Sequence, residues 1–506
     1  MSDKKAWIGL AVLALPSLLV SIDVFVMLLA LPRLSADLGA SSTEQLWIMD
    51  VYGFLLSGFM ITMGTLGDRI GRRKLLLIGS AAFAAASVMA AFSVSPLMLI
   101  AARAVLGIAG ATLAPSTLAL ISNMFPNPKQ RGLAIGIWLM CFMGGATLGP
   151  LVGGALLQHL WWGAVFLLGV PVMAVLLAVG PVLLPEYRNP DAGKLDLVSV
   201  ALSLAAILPF VYGVKQLAYA GWQPVPVAAV LVGVVVGAVF VRRQTRLEHP
   251  LLDLRLFTRR SFSTALVSML VGTMLMGAMM LFQTQHLELV QGLSPLQSAF
   301  WMIPMAVASL ITFQVSPLLA RRFRPAYLIA GGLAVSITGL LVITQVGATS
   351  GPVLLVTGWS LINLGSGPLV TLGTDLVIGS APVEKAGSAA AIGETSNEFG
   401  FALGIAALGS VGTAVYRALL PSGVPAAARD TLASATEVAG TLSGQASDAL
   451  LSSAREAFTS GMHVAALISA VALAVVAVAT AILLRHVRPT AEPAPADTTD
   501  PVLVTT

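Results

Sequence analysis

The chain has 506 residues, of which 57% are hydrophobic and only 10% are charged, and its formal net charge is +5. An ordinary soluble domain carries about 25% charged residues, so this composition excludes a typical soluble enzyme and indicates a protein whose solvent is the lipid bilayer. The single cysteine, Cys141, excludes a disulfide within the chain.

Apolar runs of membrane-spanning length recur from one end of the chain to the other. The first follows Lys4 and Lys5 and is too long for the core of a cleaved signal peptide. Together the runs predict an all-α polytopic membrane protein with fourteen spans. These lie at 7–31, 45–66, 75–94, 97–120, 132–157, 162–184, 196–219, 225–241, 262–285, 296–318, 327–346, 352–379, 387–416 and 461–485.

Lys and Arg concentrate in alternate connections between the spans. The runs 69–74 and 242–246 are strongly basic, whereas the opposite side holds only scattered cations (Arg33, Lys215, Arg417, Arg429 and Arg455). Cytoplasmic loops carry the excess of Lys and Arg. With an even number of spans, this bias predicts that both termini lie in the cytoplasm.

Three ionisable residues lie inside the spans of the first half. At 1.5 Å per helical residue, Asp23 is about 12 Å, Asp50 about 8 Å and Arg103 about 9 Å from the outer ends of spans 1, 2 and 4. Their similar depths predict a shared network if the helices are neighbours. Two interpretations of Arg103 stay open: a structural ion pair with Asp23 or Asp50, or a role in proton coupling. Asp50 also has the alternative of simple hydration near the interface.

The connection after span 2 reads GTLGDRIGRRK. Gly64 and Gly71 permit tight turning and close helix approach. Asp68 can meet a helix N-terminus or a basic partner, while Arg69 and Arg72 can anchor the cytoplasmic face. A generic basic loop is the alternative interpretation, whereas the whole pattern between two spans favours a conformational element rather than a ligand contact.

Span 5 contains GATLGPLVGG. Gly145, Gly149, Gly153 and Gly154 predict a smooth face for close helix packing. Pro150 weakens the helix where bending is useful. A plain small-residue packing seam is the alternative interpretation.

Three carboxylates lie in the spans of the second half. Glu394 and Glu398 are four residues apart on one face of span 13. Asp375, near the inner end of span 12, approaches the level of Glu394, although it can also serve only as a cap or ion-pair partner at the cytoplasmic face. Carboxylates as deep as Asp23, Glu394 and Glu398 usually face a cavity and mark function. We therefore predict that they handle substrate or protons.

Other polar and aromatic residues carry weaker signals. The histidines have no metal-ligand spacing, so no metal site is predicted (His159, His249, His286, His463 and His486). The tryptophans are typical of interface belts or packing; Trp138 and Phe25 are the aromatic candidates for a pocket. Residues 417–460 are predicted to form an outer loop with helical stretches, and 489–506 a disordered tail.

Several of these segments together resemble one transporter family. The connection at 64–74 resembles the signature loop of the major facilitator superfamily, and 145–154 resembles the antiporter motif of its proton-driven members. RAVLGIAGA from Arg103 resembles the family's helix 4 motif. IDVFVMLLALP, WIMDVY and the region 374–410 resemble helix 1, helix 2 and helices 12–13 of the fourteen-helix drug:proton antiporters. The departures are the apolar run 25–28 in helix 1 and a span 10 without a carboxylate.

The resemblance implies two six-helix bundles and two additional helices. The expected domains are 1–184 for the N-terminal bundle, 185–245 for the additional pair, and 246–416 with 461–488 for the C-terminal bundle. Bundles of this kind rock about a site near the midplane. The resemblance also implies a multi-pass bacterial cytoplasmic membrane protein that is not an enzyme.

The function implied is proton-driven efflux of lipophilic cations: dyes such as ethidium, quaternary ammonium antiseptics and, by extension, fluoroquinolones. Protons are the coupling ion, and no other cofactor is expected. Membrane lipids are expected partners, nucleic acid is not, and the chain is expected to be a monomer. The alternatives are an exporter of an endogenous lipid or metabolite and, with less support, a solute uptake facilitator.

Overall fold

A computed structural model describes residues 3–40, 42–188, 196–220, 223–248, 250–421, 424–429, 431–442 and 444–489. Within these ranges every regular element is helical. Thirteen helices among them are long and apolar enough to cross a membrane. A further helix of 32 residues, Pro128–His159, occupies the position of the fifth predicted span. The all-α class is confirmed, and the helices are consistent with fourteen spans.

The long helices are labelled α1 to α14 in chain order. In the first half they are α1 Asp3–Leu38, α2 Ser42–Ile70, α3 Arg72–Ala91, α4 Pro96–Met124, α5 Pro128–His159, α6 Ala164–Leu183 and α7 Leu197–Ala220. In the second half they are α8 Pro224–Gln244, α9 Arg260–Val290, α10 Gln297–Leu319, α11 Pro325–Ile343, α12 Pro352–Gly379, α13 Ala386–Leu419 and α14 Gln445–Leu483.

The helix starts follow from local sequence. Ser95 caps α4, where its side chain accepts a hydrogen bond from the Met98 amide and Pro96 occupies the first turn. Asn127 caps α5 in the same way. A single residue, Gly71, separates α2 from α3, and its φ of 114° lies in the region that favours glycine. The glycine in the GDRIGRR pattern is therefore needed for the sharp reversal between these two helices.

The apolar side chains form two large cores. One gathers residues of α1 to α6, from Ala6 to Leu184, and the other gathers residues from Phe240 to Leu484, mostly on α9 to α14. A few side chains of the second half, including Ile378 and Ala391, pack into the first core. These two cores correspond to the two helix bundles that the resemblance implied.

The helices α7 and α8 form a hairpin beside the bundles. At its base Arg243 pairs with Asp196 at 2.9 Å, and Ser199 also donates to Asp196 at 2.7 Å. The hydrogen bonds from Ser199 and Arg243 hold the pKa of Asp196 below its usual range. The carboxylate therefore stays ionised at neutral pH and fastens α7 to α8. The short run at 225–241 is a full helix, Pro224–Gln244.

The structure differs from prediction between spans 13 and 14. The predicted loop 417–460 contains a short helix, Leu432–Thr441, and the helix that carries the last span begins at Gln445, before the predicted start of that span at 461. Its first turns are amphipathic, because Leu450 and Ala454 are buried while Asp448 and Glu456 stay exposed. Their polar face lowers the average hydropathy, which hid this part of the helix. The tail 490–506 and His249 lie outside the described residues.

The small-residue face of α5 is narrower than predicted. A Cβ on Gly145 would collide with the Leu18 carbonyl oxygen of α1, and one on Gly153 would come within 2.9 Å of Val26. A Cβ on Gly154 would meet nothing within 4 Å, so including Gly154 in the packing face was wrong. The reason is helical periodicity: positions 145 and 153 share one face, and 154 is turned about 100° away. Gly149 is buried, and the side chain of Pro150 lies outside the described part of the chain.

This difference between neighbouring glycines gives a matched test. Gly145→Ala is expected to destabilise the protein by about 1–3 kcal/mol, because the added methyl group overpacks the α1–α5 contact. Gly154→Ala is expected to be neutral or to stabilise α5 by up to about 1 kcal/mol, since alanine has the higher helix propensity. Thermal unfolding of the purified variants measures both. Equal melting temperatures for the two variants would contradict this assignment of the packing face.

Candidate functional site

Asp23 and Arg103 form an ion pair inside the N-terminal bundle. Arg103 Nη1 of α4 lies 3.0 Å from Asp23 Oδ2 of α1, and Arg103 Nε donates to the Ile48 carbonyl of α2 at 3.0 Å. The side chains of Arg103 and Asp23 are 2% and 10% exposed. A buried pair of this kind persists only with good geometry and additional hydrogen bonds. One guanidinium thus ties α1, α2 and α4 together.

Tyr52 of α2 completes this cluster, and the sequence analysis did not single it out. The Arg103 guanidinium carbon lies 4.8 Å from the centroid of the Tyr52 ring, a cation–π contact. The Tyr52 hydroxyl is buried without a hydrogen-bond partner. The charges of Asp23 and of Glu398, from the other half, both act on it. The motif WIMDVY ends on this tyrosine, so the signal was present in a segment used only for the family resemblance.

Asp50 lies on α2 close to this cluster. It is half-buried, two residues after Ile48 and two residues before Tyr52. Of the three residues predicted to share a depth, Asp23 and Arg103 form a pair. Asp50 lies on α2, the helix whose Ile48 carbonyl and Tyr52 ring also contact Arg103. Its role in proton or substrate handling stays a prediction.

Glu394 and Glu398 lie near the middle of α13. They follow the start of the helix by about 12 and 18 Å at 1.5 Å per residue. Glu394 is half-buried and accepts a hydrogen bond from Asn397. Glu398 is exposed, and its charge acts on Glu394. The structure therefore brings the two carboxylates together as predicted from their spacing. Asn397 was missed, since an isolated asparagine carries no pattern.

A methionine-rich pocket lies beside these carboxylates in the C-terminal bundle. Its lining includes Met269, Thr273, Met276 and Met279 of α9 together with Asn397 of α13. Thioether side chains are flexible and polarizable and fit ligands of different shape. Asn397 thus joins the pocket wall to Glu394, so an apolar surface and a carboxylate are adjacent.

Asp68 joins the two bundles at the end predicted to be cytoplasmic. Its Oδ1 accepts from the Gly387 amide at 3.2 Å, and its Oδ2 accepts from the Ser388 amide at 3.0 Å and the Ser388 hydroxyl at 3.1 Å. These amides belong to the first turn of α13, whose N-terminus carries unsatisfied donors and a partial positive charge. Asp68 therefore caps a helix of the opposite bundle.

The remaining residues of the 64–74 pattern support this contact. Arg72 Nε donates to Asp68 at 2.9 Å, and both side chains are buried. Arg69 is half-buried, and the charges of Asp68 and Asp196 act on it. A Cβ on Gly64 would lie 2.7 Å from the Gly387 carbonyl oxygen. A larger residue at position 64 would thus push α2 away from α13.

We call the contacts of Asp68 with the first turn of α13 the latch. A short segment after α6, which the sequence patterns did not indicate, stabilises it. Glu186 accepts hydrogen bonds from the amides of Arg73 and Lys74 at 3.2 and 3.1 Å. Tyr187 lies over Arg72, with 5.0 Å from its ring centroid to the guanidinium carbon, and donates to Glu384 at 3.2 Å. Burial and the charge of Glu384 raise the pKa of Tyr187, so the hydroxyl keeps its proton. No motif pointed to this segment because its partners lie far away in the chain.

Asp375 also joins the bundles at this end. Arg131 Nε of α5 lies 2.5 Å from Asp375 Oδ1 of α12, and Lys385 pairs with Asp253 nearby. The structure therefore places Asp375 in an inter-bundle ion pair, which is the alternative considered for it.

Two further predictions concern aromatic and metal sites. Trp138 is buried and donates to the Thr117 hydroxyl at 3.1 Å, so it is a packing residue; the side chain of Phe25 lies outside what the structure describes. In the described ranges, no three His, Cys, Asp or Glu side chains are grouped as a metal site requires.

The chain matches a known protein family over most of its length. The family model described as Major Facilitator Superfamily matches residues 13–405. The chain is 42% identical over 488 residues to the Multidrug efflux pump LfrA of Mycolicibacterium smegmatis, covering 95% of this chain and 97% of that protein. It is 33% identical over 462 residues to the Methyl viologen resistance protein SmvA of Salmonella typhimurium, covering 90% and 93%.

Solved structures agree at the level of the fold. The human organic anion transporter MFSD10 aligns with a TM-score of 0.58 at 15% identity, over 94% of this chain and 100% of that one. A bacterial homolog of the human lysosomal transporter Spinster aligns with a TM-score of 0.54 at 18% identity, over 98% of this chain and 100% of that one. At such identities the likeness concerns the helix arrangement alone.

Proposed function

The chain belongs to the Major Facilitator Superfamily and is an efflux transporter of bacterial membranes rather than an enzyme, and from this premise we propose that it is a proton-driven antiporter for lipophilic cations. The observation that carries the proposal is the pair Glu394 and Glu398 at mid-helix of α13, next to a methionine-rich pocket. A second group, Asp23 with Arg103, lies in the opposite bundle.

The coupling follows from competition for one carboxylate. In a site of low dielectric, burial favours the neutral acid, and a bound cation favours the carboxylate. Glu394 or Glu398 therefore holds either a proton or a lipophilic cation. Asp23 exchanges Arg103 for a proton in the same way. A proton arriving from the outer side displaces the cation, and loss of that proton on the inner side restores the binding site.

Alternating access then needs a latch that opens and closes. The Asp68 contacts with α13 and the Arg131–Asp375 pair close the predicted cytoplasmic end. This arrangement corresponds to the step in which substrate leaves toward the outside. Rocking of one bundle against the other would break both contacts and open the path for the next substrate.

The proposal predicts that the α13 carboxylates are required for coupling. Glu394→Gln and Glu398→Gln, and in the other bundle Asp23→Asn, are each expected to lower proton-driven ethidium efflux from proteoliposomes by about tenfold or more, equivalent to about 1.4 kcal/mol. The amide side chain of glutamine or asparagine cannot take up and release a proton near neutral pH. Glu456→Gln, at an exposed position on α14, is the matched control.

The outcomes separate the candidate functions. Wild-type efflux in all three variants would sink the assignment of these carboxylates. No ethidium movement by the unmodified protein, under any proton gradient, would favour export of an endogenous lipid or metabolite or, failing that, solute uptake.

A further inference from the structure

The helix α7 lies across the gap between α2 and α13, the two helices that bring the bundles together. Phe54 of α2 and Tyr212 of α7 have ring centroids 6.3 Å apart at 67°. Phe210 of α7 and Phe399 of α13 have centroids 5.3 Å apart at 78°. We call these four residues the aromatic seam. The seam joins one helix of each bundle to the hairpin.

The aromatic seam is separate from the cores of both bundles. Phe54, Ile207 and Val211 form a third small cluster of buried side chains, with Tyr212 and Phe399 packed against it. Edge-to-face ring contacts and aliphatic packing have no fixed partner atoms, in contrast to hydrogen bonds. Contacts of this type can part and re-form without leaving an unpaired polar group behind.

The base of the hairpin is held in a different way. Gln244, at the end of α8, donates to Ser199 at 2.8 Å and accepts from the Leu251 amide at 2.7 Å. The Leu251 carbonyl in turn accepts from Thr65 of α2 at 2.9 Å. With the Asp196–Arg243 pair, these buried hydrogen bonds anchor one end of α7, while the aromatic seam holds its middle. Among the described side chains, the hydrogen bonds that connect α7 to other segments thus lie at its base, while its middle packs through the rings of the seam.

The aromatic seam lies next to a carboxylate in the sequence of α13. Glu398 is the residue before Phe399, and its charge acts on Tyr52, two residues from Phe54. On the far side, α8 presents exposed valines, among them Val232 and Val235, as expected for a face in contact with acyl chains. The hairpin thus packs through Phe210 on the residue that follows Glu398, and α8 presents its exposed valines away from the bundles.

We propose that the aromatic seam is a lateral access site at which flat lipophilic cations pass between the bilayer and Glu398, with α7 as the movable wall. Such cations dissolve in the bilayer interface, and aromatic faces attract their charge while their rings stack. The same rings exclude water and small ions when no cation is present. This inference rests on the proposed function and adds the route by which the substrate reaches the carboxylate.

Photolabelling tests where the cation lies. Full-length protein in liposomes is irradiated with ethidium monoazide, and the labelled peptides are mapped. The proposal predicts labels on α7 around Phe210 and Tyr212 and on α13 around Phe399, removed by excess tetraphenylphosphonium and reduced in Glu398→Gln. Label found only outside α2, α7 and α13, or label on α7 that tetraphenylphosphonium does not compete, would overturn it.

Leucine substitutions test whether the rings serve the cation or only the packing. Phe210→Leu and Phe399→Leu keep a large apolar side chain but remove the π-face. They are expected to raise KM for ethidium about five- to tenfold with kcat nearly unchanged. Phe458→Leu removes a ring from another aromatic pair, Phe282–Phe458, and is expected to leave KM unchanged.

The outcomes distinguish this inference from the proposed function. If the unmodified protein pumps ethidium and the two leucine variants keep its KM, the aromatic seam is only packing and the lateral route is wrong. If those variants lower kcat and thermal stability without moving KM, the same conclusion holds. If the unmodified protein does not pump ethidium at all, the failure lies with the proposed function.

Discussion

Asp68→Asn is expected to reduce transport about 100-fold, the largest effect of any conservative substitution in the chain. The carboxylate accepts from two α13 amides and from buried Arg72, and removing one partner of a buried pair costs about 3–5 kcal/mol. About 3 kcal/mol of lost stability in the closed state corresponds to roughly a 100-fold shift toward the state that is open at the predicted cytoplasmic end.

Two measurements check this prediction. Ethidium efflux reports the loss of turnover, and reaction of a cysteine introduced at Ala386, which is buried in the first turn of α13, with a membrane-impermeant thiol reagent reports opening of the latch. Asp37→Asn, at an exposed position of α1, is the matched control. The double variant Asp68→Asn with Arg72→Gln is expected to regain thermal stability without regaining transport, because asparagine offers one neutral oxygen where the α13 amides use two carboxylate oxygens. Normal efflux and unchanged labelling in Asp68→Asn would contradict the latch.

Arg103→Ala is expected to have the largest effect on stability. It leaves the Asp23 carboxylate in a buried site without its partner, which costs about 3–5 kcal/mol. It also removes the hydrogen bond to the Ile48 carbonyl and the contact with the Tyr52 ring. The protein is therefore expected to unfold at a lower temperature and to lose efflux.

A double-mutant cycle separates the two interpretations of this pair. Asp23→Asn with Arg103→Gln removes both charges, so it is expected to recover about 2–3 kcal/mol relative to the sum of the single variants. If the pair is only structural, proton-driven efflux recovers with stability. If Asp23 exchanges protons, as proposed, stability recovers and efflux does not. Arg33→Ala, at an exposed arginine of α1, controls for the loss of a cation.

Much of the architecture could be predicted from the sequence, because each span is a local pattern. Apolar length predicted the helices, including Pro224–Gln244, and the family was identified from motifs such as residues 64–74, which the comparison confirmed. The spacing of Glu394 and Glu398 predicted their common face. The exception, the early start of α14 at Gln445, arose where a polar face masked an apolar one.

The partners of the charged residues could not be predicted in the same way. Asp23 and Arg103 are 80 positions apart, and Asp68 and Ser388 are 320 apart. Depth along a helix follows from sequence position, but the direction in which a side chain points toward another helix depends on how the helices pack. Depth gave the level of Asp375 along its helix, whereas its partner Arg131, 244 positions away, followed only from the packing.

The sequence by itself determined that the chain lies in a membrane, which helices it forms, which family it resembles and which carboxylates lie within the predicted spans. All of these follow from composition and from patterns within about ten residues. Only the tertiary structure decided that Asp68 caps α13, that Glu186 and Tyr187 fasten the latch, and that α7 packs on both α2 and α13. The physical reason is that apolar helix faces are nearly interchangeable in lipid, so the choice of neighbour is made by the packing of the whole bundle.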